Sequence, residues 1–461
     1  MSRKKSYLEI SERKLLLRVF DIVVIIASIW FTSLYSDFVY IDVQNSFVYQ
    51  WLIVLSIYFL LFGEIFQIYN LDVSNNSFLM LRNVFVASLI TALVYIFSPY
   101  ITPSLPENRL QIVTFFFLIA TSVIIWRFLY MWVLFSPKYF KSLIVVGHSS
   151  KVEALLKLIK SKKFHNVAVY VSNASIENFD GFSDVATADL SKLIDENISV
   201  TEMVISTDGF TNEIVKELNR QLIQLFGEGI NIKSFEKYYE EVTDRVPAEY
   251  LDFDFYKNIN YSKSSENRLY LFTRRILDVL ISIAGLFVLL LFIPIIFIGN
   301  ILGNRGPLFY TQDRVGKNGK IFKILKLRSM VIDAEKSGAV WAEKNDKRIT
   351  AFGKFLRNTR LDEMPQFFNI LKGEMSLIGP RPERPEFANE LEKEIPFYAI
   401  RQVIKPGLTG WAQVSYPYAG TIEEQEMKLR YDLYYIKERS SFLDFKIFIK
   451  TITTVLFFRG Q

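Results

Sequence analysis

The sequence predicts a membrane protein in three parts: a bundle of four transmembrane helices over residues 1–140, a Rossmann-like α/β domain over 141–265, and a mainly helical domain over 266–461. Its 461 residues are enough for two or three domains. The chain is 51% hydrophobic, which is more apolar than most soluble enzymes. Long apolar runs, then alternating strand and helix patterns, then charged loops rich in glycine follow one another along the chain.

The first part contains four apolar stretches, and each approaches or exceeds the roughly 17–25 residues that span a bilayer. Residues 1–14 carry five basic and two acidic residues, and Lys138 and Lys141 follow the fourth stretch. Because basic residues favour the cytoplasmic side, both ends of the bundle are predicted to be cytoplasmic. The stretches lie at roughly 19–36, 48–69, 83–100 and 110–135.

Three charged residues, Asp21, Glu64 and Arg127, lie in or near these stretches. Charged groups within a membrane usually pair with one another or extend to the interface. We therefore predict helix–helix pairing or snorkelling, with a path for a lipid headgroup or glycan as the alternative.

The middle part alternates strand-like and helix-like patterns, which predicts a parallel sheet. Ser142–Gly147 has the pattern of a buried strand, and a helical pattern follows it. A dinucleotide-binding turn needs Gly-x-Gly-x-x-Gly, but the turn Gly147-His148-Ser149-Ser150 keeps only the first glycine. A non-catalytic sheet domain is therefore favoured, with a bound nucleotide left open.

A fifth apolar segment, Val279 to Ile298, is twenty residues without a charge and contains Pro294. Its length alone favours a helix that spans the membrane. Basic clusters flank it on both sides, however, and a spanning helix would send one cluster across the membrane. Proline removes a backbone donor and clashes with the preceding turn. We therefore predict a re-entrant helix over 276–302 that is broken at Pro294.

Composition limits the chemistry that this chain can perform. It has no cysteine and only two histidines, which excludes disulfides, cysteine-bound zinc and thiol nucleophiles. Carboxylates must therefore carry much of any reaction. The net charge of +6 is attributed to Lys and Arg on the cytoplasmic side of a membrane, and no nucleic-acid partner is expected.

The third part begins with a basic loop, Gly303–Met330, which glycines interrupt. One interpretation is a solvated face that touches anionic lipid. The other is phosphate binding by Lys and Arg, with glycine allowing close backbone approach. The candidates for substrate or phosphate contact in this loop are Gln312, Arg314, Lys326 and Arg328.

Two adjacent carboxylates, Asp362 and Glu363, follow Arg357 by slightly more than one helical turn. Consecutive helical residues point about 100° apart, so these two acids should have different roles. One could attack while the other holds a metal ion or moves a proton. Carboxylates can form acyl-phosphates, and Mg²⁺ binds one or two carboxylates together with substrate phosphates. Without the basic surroundings, such a pair would more often be a solvated helix start.

Three features follow toward the C-terminus. The turn Lys405–Val414 offers Trp411 as an exposed ring. Asp432 lies four residues after Lys428, a spacing that fits a surface ion pair or a place in the site. Residues 442–458 suit an interfacial helix and a core helix equally well.

Several long motifs in residues 268–458 resemble the bacterial sugar transferase family, the polyprenyl-phosphate hexose-1-phosphate transferases. Nearly the whole chain is similar to the long form of these monotopic phosphoglycosyl transferases, though weakly before residue 260. The motifs are Gly306–Gly316 (GPLFYTQDRVG), Lys326–Met330 (KLRSM), Leu361–Gln366 (LDEMPQ), Leu371–Pro382 (LKGEMSLIGPRP) and Lys405–Trp411 (KPGLTGW).

This resemblance implies a mainly helical monotopic catalytic domain with a re-entrant membrane helix. It implies transfer of a hexose 1-phosphate from a UDP-sugar, UDP-glucose or UDP-galactose, to undecaprenyl phosphate, with release of UMP. The expected setting is the first membrane step of exopolysaccharide, capsule or O-antigen synthesis, at the bacterial inner membrane with the catalytic domain in the cytoplasm. The oligomeric state is left open, with the middle domain as the candidate surface for a homodimer.

The resemblance also implies roles for individual residues. Asp362 would attack the β-phosphate and form a covalent phosphosugar intermediate, and Glu363 would assist with Mg²⁺ or with proton transfer. These two acids are the expected metal ligands. Family members usually carry serine before the membrane-breaking proline, whereas this chain has Ile293. The residues expected to bind phosphates or to belong to the site are Lys326, Arg357, Arg381 and Asp432.

The sequence argues against two other classes of protein. A membrane-anchored nucleotide-sugar dehydratase or epimerase needs an intact glycine turn and a Tyr-x-x-x-Lys pair, and no tyrosine here has lysine four residues later. An inactive scaffold for polysaccharide assembly is disfavoured by the intact residues Asp362, Glu363, Arg357 and Arg381.

Overall fold

The computed structural model describes residues 10–35, 38, 40–70, 77–134, 141–160, 165–197, 200–227, 230–248, 267–332, 334, 346, 348–416 and 421–456. The chain divides into two compact units, Met1–Tyr238 and Tyr239–Gln461. Residues 1–9 of the basic leader, Lys138, and the predicted domain boundary at 265 lie outside the described residues.

The first unit opens with long apolar helices, as predicted. Each is long and apolar enough to cross a membrane. Their facing side chains, such as Leu17, Phe59, Val84 and Phe115, form one buried cluster. The helices are α1 (Ile10–Tyr35), α2 (Val48–Ile65), α3 (Ser77–Ile96) and α4 (Leu110–Leu134).

Charged side chains within this bundle are paired. Arg127 on α4 donates to both carboxylate oxygens of Asp21 on α1, at 3.1 and 2.6 Å, and both side chains are buried. Arg127 also donates to the Ile68 carbonyl at 3.0 Å. Arg18 pairs with Glu64. These ion pairs confirm the predicted helix–helix pairing. Pairing offsets the cost of burying the charges of Arg127 and Asp21.

The rest of the first unit is a five-stranded parallel sheet with its helices. Its elements are β1 (Lys141–Val146), α5 (Ser149–Lys160), β2 (His165–Ser172), β3 (Phe182–Asp184), α6 (Leu190–Glu196), β4 (Val200–Ile205), α7 (Asn212–Gly227), β5 (Asn231–Ser234) and the start of α8 (Phe235–Thr243). The strand order is β3-β2-β1-β4-β5, and every pairing is parallel. This order is the Rossmann arrangement, so the predicted Rossmann-like sheet is confirmed.

The second unit is mainly helical, with two small sheets. Its elements are α9 (Arg268–Gly303), β6 (Phe309–Val315), β7 (Ile321–Leu327), α10 (Ala351–Asn358), α11 (Gln366–Lys372), β8 (Ser376–Ile378), α12 (Pro385–Glu394), β9 (Gly407–Thr409), α13 (Trp411–Ser415), α14 (Ile422–Glu438) and α15 (Ser441–Leu456). Short 3₁₀ turns lie at Lys317–Gly319, Leu361–Glu363 and Tyr398–Val403.

Helix α9 is a single helix with Pro294 inside it, so the proline does not divide the segment into two separate helices. A proline removes one backbone donor, and apolar packing on both sides of it can hold the helix together. Leu289 precedes Pro294 and Ile296 follows it, and both pack into the same buried cluster with Leu327 of β7 and Leu356 of α10.

Both ends of α9 bind polar groups of the second unit. Near its start, Arg274 donates to the Ser376 hydroxyl at 3.1 Å, and Asp278 accepts the Leu377 amide at 2.9 Å. At its end, the cap residue Asn304 donates to the Arg328 carbonyl at 2.7 Å. The helix is therefore attached along its length to one domain, while its other face exposes apolar side chains such as Phe287, Leu291 and Ile298.

Close backbone contact joins two of the sequence motifs. Strands β8 and β9 pair in parallel, with Ser376 opposite Gly407 and Ile378 opposite Thr409. A Cβ on Gly407 would lie 2.1 Å from the Gly379 nitrogen, so only glycine fits there. This contact brings the segment that carries Arg381 next to the Lys405–Trp411 motif.

Candidate active site

The two adjacent acids lie on the 3₁₀ turn Leu361–Glu363, directly after α10. Arg360, the residue before the turn, has φ of 59°, in the left-handed region that few non-glycine residues occupy. The side chains of Asp362 and Glu363 still diverge, because a 3₁₀ helix has three residues per turn. Both acids are buried.

Glu363 is surrounded by cations. Its Oε1 accepts a 3.1 Å hydrogen bond from Arg381 and lies 3.5 Å from the Lys326 ammonium. Its Oε2 lies 3.7 Å from Arg360. Burial favours the neutral acid, but the positive charges of Arg381, Lys326 and Arg360 outweigh it and hold the pKa of Glu363 well below its usual range. Glu363 is therefore the more acidic of the two adjacent acids and lies among three cations.

Asp362 has the opposite electrostatic balance. Burial, and then the negative charge of Glu363, raise its pKa to about 6, although Lys326 and Arg357 limit the rise. Its Oδ1 is buried and, within the part of the chain that the structure describes, accepts no hydrogen bond. At neutral pH most copies of Asp362 are ionised with one oxygen uncommitted, which suits a nucleophile.

The remaining cations of this cluster come from separate elements. Lys326 is on β7, where it pairs with Tyr310 of β6. Burial lowers the pKa of Lys326 to about 8 even though Glu363 favours its charged form. Arg357 is in the last turn of α10, and its Nε donates to the Ser329 hydroxyl at 3.0 Å. The structure thus brings Lys326, Arg357 and Arg381 near the two acids, and their phosphate-binding role stays a prediction.

The other candidates of the basic loop contact protein groups nearby. Arg314 donates to the Gln312 side-chain oxygen at 2.7 Å and to the Pro382 carbonyl at 3.2 Å. Burial lowers the pKa of Arg314 to about 10. Arg328 donates to the Pro307 carbonyl at 3.1 Å. These contacts place Gln312 and Arg314 beside the Arg381 segment and Arg328 against its own loop.

Asp432 belongs to a second polar cluster. Its Oδ2 accepts a 2.9 Å hydrogen bond from Arg401, and the residue is only 1% exposed. Burial raises its pKa although the charge of Arg401 opposes that shift. Lys428, the predicted surface partner of Asp432, donates to Glu383 at 2.8 Å instead. The surface ion pair is therefore not what holds Asp432.

Sequence reasoning missed Arg360, Glu383 and Arg401. Arg360 and Glu383 lie next to the recognised motifs, one residue before Leu361 and one residue after Pro382, but nothing local showed what they would contact. Arg401 lies in a short segment without a motif, and only the fold brings it to Asp432. The predicted exposed ring of Trp411 is wrong: the ring is 1% exposed and its Nε1 donates to the Asp244 carbonyl at 2.7 Å. The apolar core of the domain takes up the indole because burial of its large surface is favourable.

The fit of Mg²⁺ can be judged from these groups. Among the described residues, no three or more His, Cys, Asp or Glu side chains form a group that could hold a metal ion by themselves. Mg²⁺ often binds only one or two carboxylates and takes its other ligands from phosphates and water. The uncommitted Oδ1 of Asp362 fits this role. Glu363 already has a cation beside each oxygen, so it could join only by exchanging one of them.

The site combines buried acids with lysines and arginines, and it belongs to a domain with a long apolar helix. Such a site is suited to binding phosphate esters, so the general class is that of a membrane-associated protein acting on phosphate esters. A family model described as Bacterial sugar transferase matches residues 269–458. The chain is 51% identical over 142 residues to a protein of Bacillus subtilis named putative undecaprenyl-phosphate N-acetylgalactosaminyl 1-phosphate transferase, and this match covers 31% of this chain and 79% of that protein. The chain belongs to the bacterial sugar transferase family.

Two other relatives are longer than the region they share with this chain. The UDP-N-acetylgalactosamine-undecaprenyl-phosphate N-acetylgalactosaminephosphotransferase of Aeromonas hydrophila is 38% identical over 53% of this chain and 57% of its own length. The UDP-glucose:undecaprenyl-phosphate glucose-1-phosphate transferase of Xanthomonas campestris is 43% identical over 38% of this chain and 36% of its own length. The chain thus spans little more than half of the first relative and about a third of the second.

Proposed function

We propose that this protein transfers a sugar 1-phosphate from a UDP-sugar to undecaprenyl phosphate and releases UMP. The single observation that carries the proposal is the uncommitted Oδ1 of Asp362, beside a carboxylate that holds three cations. The printed names of the relatives describe reactions of this type. The sugar is a hexose or an N-acetylhexosamine, because the relatives' names include both.

The reaction proceeds in two displacements. Asp362 attacks the β-phosphorus of the donor, the bond to the α-phosphate oxygen breaks, and UMP leaves with that oxygen and its electron pair. A phosphate oxygen of the lipid acceptor then attacks the same phosphorus, and the bond to Asp362 breaks, which restores the carboxylate. Arg357, Lys326 and Arg381 stabilise the charge on the transferred phosphate, since phosphoryl transfer depends mainly on positioning and electrostatics.

Glu363 has an electrostatic role in this scheme. Its low pKa opposes proton uptake, so holding Lys326 and Arg381 in place suits it better than general base catalysis. Bound Mg²⁺ would neutralise charge on the donor's diphosphate. Asp362 would be its first protein ligand, and Glu363 could join after exchange of a cation.

The catalytic domain is proposed to lie on the cytoplasmic side, with α9 entering and leaving the membrane on that side. Arg274 and Asn304, near its two ends, both bind polar groups of one domain. A helix that crossed a hydrocarbon core of about 30 Å would place its ends on opposite sides. The exposed apolar face of α9 supplies the contact with lipid.

The covalent step can be tested with radiolabelled donors in membranes that contain the full chain. The panel is UDP-glucose, UDP-galactose and UDP-N-acetylgalactosamine. We expect one donor to leave acid-stable label on the wild-type protein and to release UMP. Asp362→Asn should abolish both, while Glu390→Gln, at an exposed acid on α12, should retain them. Lipid product from the Asp362→Asn protein would remove Asp362 as the nucleophile, and no turnover of any donor by the wild type would favour the inactive scaffold.

A further inference from the structure

The loop that carries Arg381 is held in place by hydrogen bonds from other residues to its backbone carbonyls. This loop, Pro380–Glu383, contains two prolines, which have no N–H to donate. All four backbone carbonyls of this loop accept a hydrogen bond from a group outside the loop. In chain order the donors are the Gly407 amide at 2.9 Å, the Arg401 Nη2 at 3.0 Å, the Arg314 Nη1 at 3.2 Å and the Val315 amide at 2.9 Å.

Arg401 makes the contact that is nearest to the chemistry, because it binds the carbonyl of Arg381 itself. Its Nη2 carries two hydrogens and makes two bonds, one to that carbonyl at 3.0 Å and one to Asp432 at 2.9 Å. Its Nη1 donates to the Tyr398 hydroxyl and lies 3.6 Å from Glu383. Both terminal nitrogens of the Arg401 guanidinium are therefore held by neighbouring groups. This planar group directs one N–H at the Arg381 carbonyl.

Glu383 is fixed in the same way. Its carboxylate accepts a 2.8 Å hydrogen bond from Lys428, and its backbone carbonyl is bound by β6. Positive charge on Lys428 and Arg401 holds the pKa of Glu383 well below its usual range although burial opposes this. The second cluster thus holds the loop through the Glu383 side chain and through the backbone.

We infer that Arg401 is a positioning residue for Arg381, and that Asp432 acts through Arg401 and not by touching either substrate. The inference rests on the proposed function in one respect, namely that Arg381 binds the transferred phosphate. Arg381 reaches Glu363 at 3.1 Å from a loop whose backbone Arg401 holds. A shift of about 1 Å at such a residue can lower the rate about 100-fold.

A double-mutant cycle distinguishes positioning from general support of the fold. Arg401→Lys keeps the positive charge but loses the planar guanidinium with its two terminal nitrogens. Arg381→Ala removes the side chain that Arg401 would position. The full-length protein is assayed in membranes with whichever UDP-sugar of the panel the wild type turns over. Arg430→Lys is the matched control, because Arg430 is also buried and binds a backbone carbonyl, that of Val246, at 2.8 Å.

Arg401→Lys should lower kcat/KM about 30-fold in the wild-type background, by misplacing Arg381. It should lower kcat/KM less than threefold when Arg381→Ala is already present, because the effects of residues that act as a unit are not additive. Arg430→Lys should have the same small effect in both backgrounds. If the losses from Arg401→Lys and Arg381→Ala multiply instead, Arg401 supports the fold and the inference is wrong.

A second variant covers the case in which Arg401→Lys does not fold. Asp432→Asn keeps the shape of the side chain, and the same cycle with Arg381→Ala should again be non-additive. Independent, multiplying losses from Asp432→Asn would show that Asp432 does not act through Arg381 and would overturn the inference. A wild-type chain that turns over no donor would instead contradict the proposed function, so the two failures are distinguishable.

Discussion

Arg381 donates a 3.1 Å hydrogen bond to Glu363, while Asp362, next to Glu363 in the chain, keeps one buried oxygen without a hydrogen-bond partner among the described residues. Two adjacent carboxylates thus have opposite surroundings. The pKa of Glu363 lies well below its usual range, and that of Asp362 is raised to about 6. Pairs of acids whose environments separate their pKa values in this way usually divide the work of a reaction between them.

The first prediction concerns the pH dependence of kcat/KM. Asp362 must be ionised to attack, so activity should rise with pH through about 6 as its proton leaves. Lys326 must be charged to bind phosphate, so activity should fall as pH rises through about 8. The profile should be bell-shaped. Lys326→Arg should move the alkaline limb to higher pH and leave the acid limb in place, and an unchanged alkaline limb would exclude Lys326 as its source.

The second prediction concerns Glu363→Gln. Removing this negative charge removes one of the two causes that raise the pKa of Asp362, so the acid limb should move to lower pH. The rate constant kcat should fall about 10- to 100-fold, because Lys326 and Arg381 lose the group that orients them. Glu390→Gln, at an exposed acid of the same domain, should change neither property. An acid limb that stays near its wild-type position would show that Glu363 does not act on Asp362.

The third prediction concerns Gly353 in α10. A Cβ at this position would lie 1.9 Å from the Ser329 carbonyl oxygen, which is backbone and cannot move aside cheaply. Alanine would gain up to about 1 kcal/mol of helix propensity, but overpacking costs about 1–3 kcal/mol. Gly353→Ala should therefore lower the Tm and displace Arg357, which α10 carries. Lys354→Ala, at an exposed site on the same helix, should change the free energy of unfolding by less than about 0.5 kcal/mol and so leave the Tm nearly unchanged.

The fourth prediction concerns the topology of α9. The chain has no cysteine, so single engineered cysteines can be labelled without background. Arg268→Cys and Arg305→Cys, at the two ends of α9, should both react with an impermeant maleimide from the cytoplasmic side only. Ser46→Cys, in the connection between α1 and α2, should react from the opposite side. Reaction of the two α9 positions from different sides would show that the helix crosses the membrane.

The fifth prediction concerns the metal. Treatment of membranes with EDTA should stop UMP release, and added Mg²⁺ should restore it, because the cations of the site cannot alone neutralise a donor diphosphate and an acceptor phosphate. Ca²⁺ should restore it poorly, since it prefers more ligands and longer distances. Full activity in excess chelator would contradict a metal requirement.

The sequence by itself determined the order of the structural parts along the chain and drew attention to the two adjacent acids. Apolar runs of membrane length, a strand pattern ending at Gly147, and two acids among arginines depend on local spacing, which survives without knowledge of the fold. Those features correctly predicted the apolar helices and the Rossmann-like sheet, whereas Lys326, Arg357 and Arg381 were assigned to the site by the family resemblance, and their phosphate-binding role stays a prediction. Only the tertiary structure decided that α9 continues through Pro294, because packing on both sides of the proline outweighs its local preference.

Only the tertiary structure decided, too, how the two polar clusters are connected. Arg401 is 20 residues from Arg381 and 31 from Asp432 in the chain, yet one of its nitrogens binds both. Likewise Trp411 is buried in the apolar core, where its indole N–H donates to the carbonyl of Asp244, far away in sequence. Such contacts depend on which distant segments the fold brings together, and no spacing within a motif records that choice. The separate pKa values of Asp362 and Glu363 arise from the same cause, since burial and neighbouring charge are properties of the folded chain.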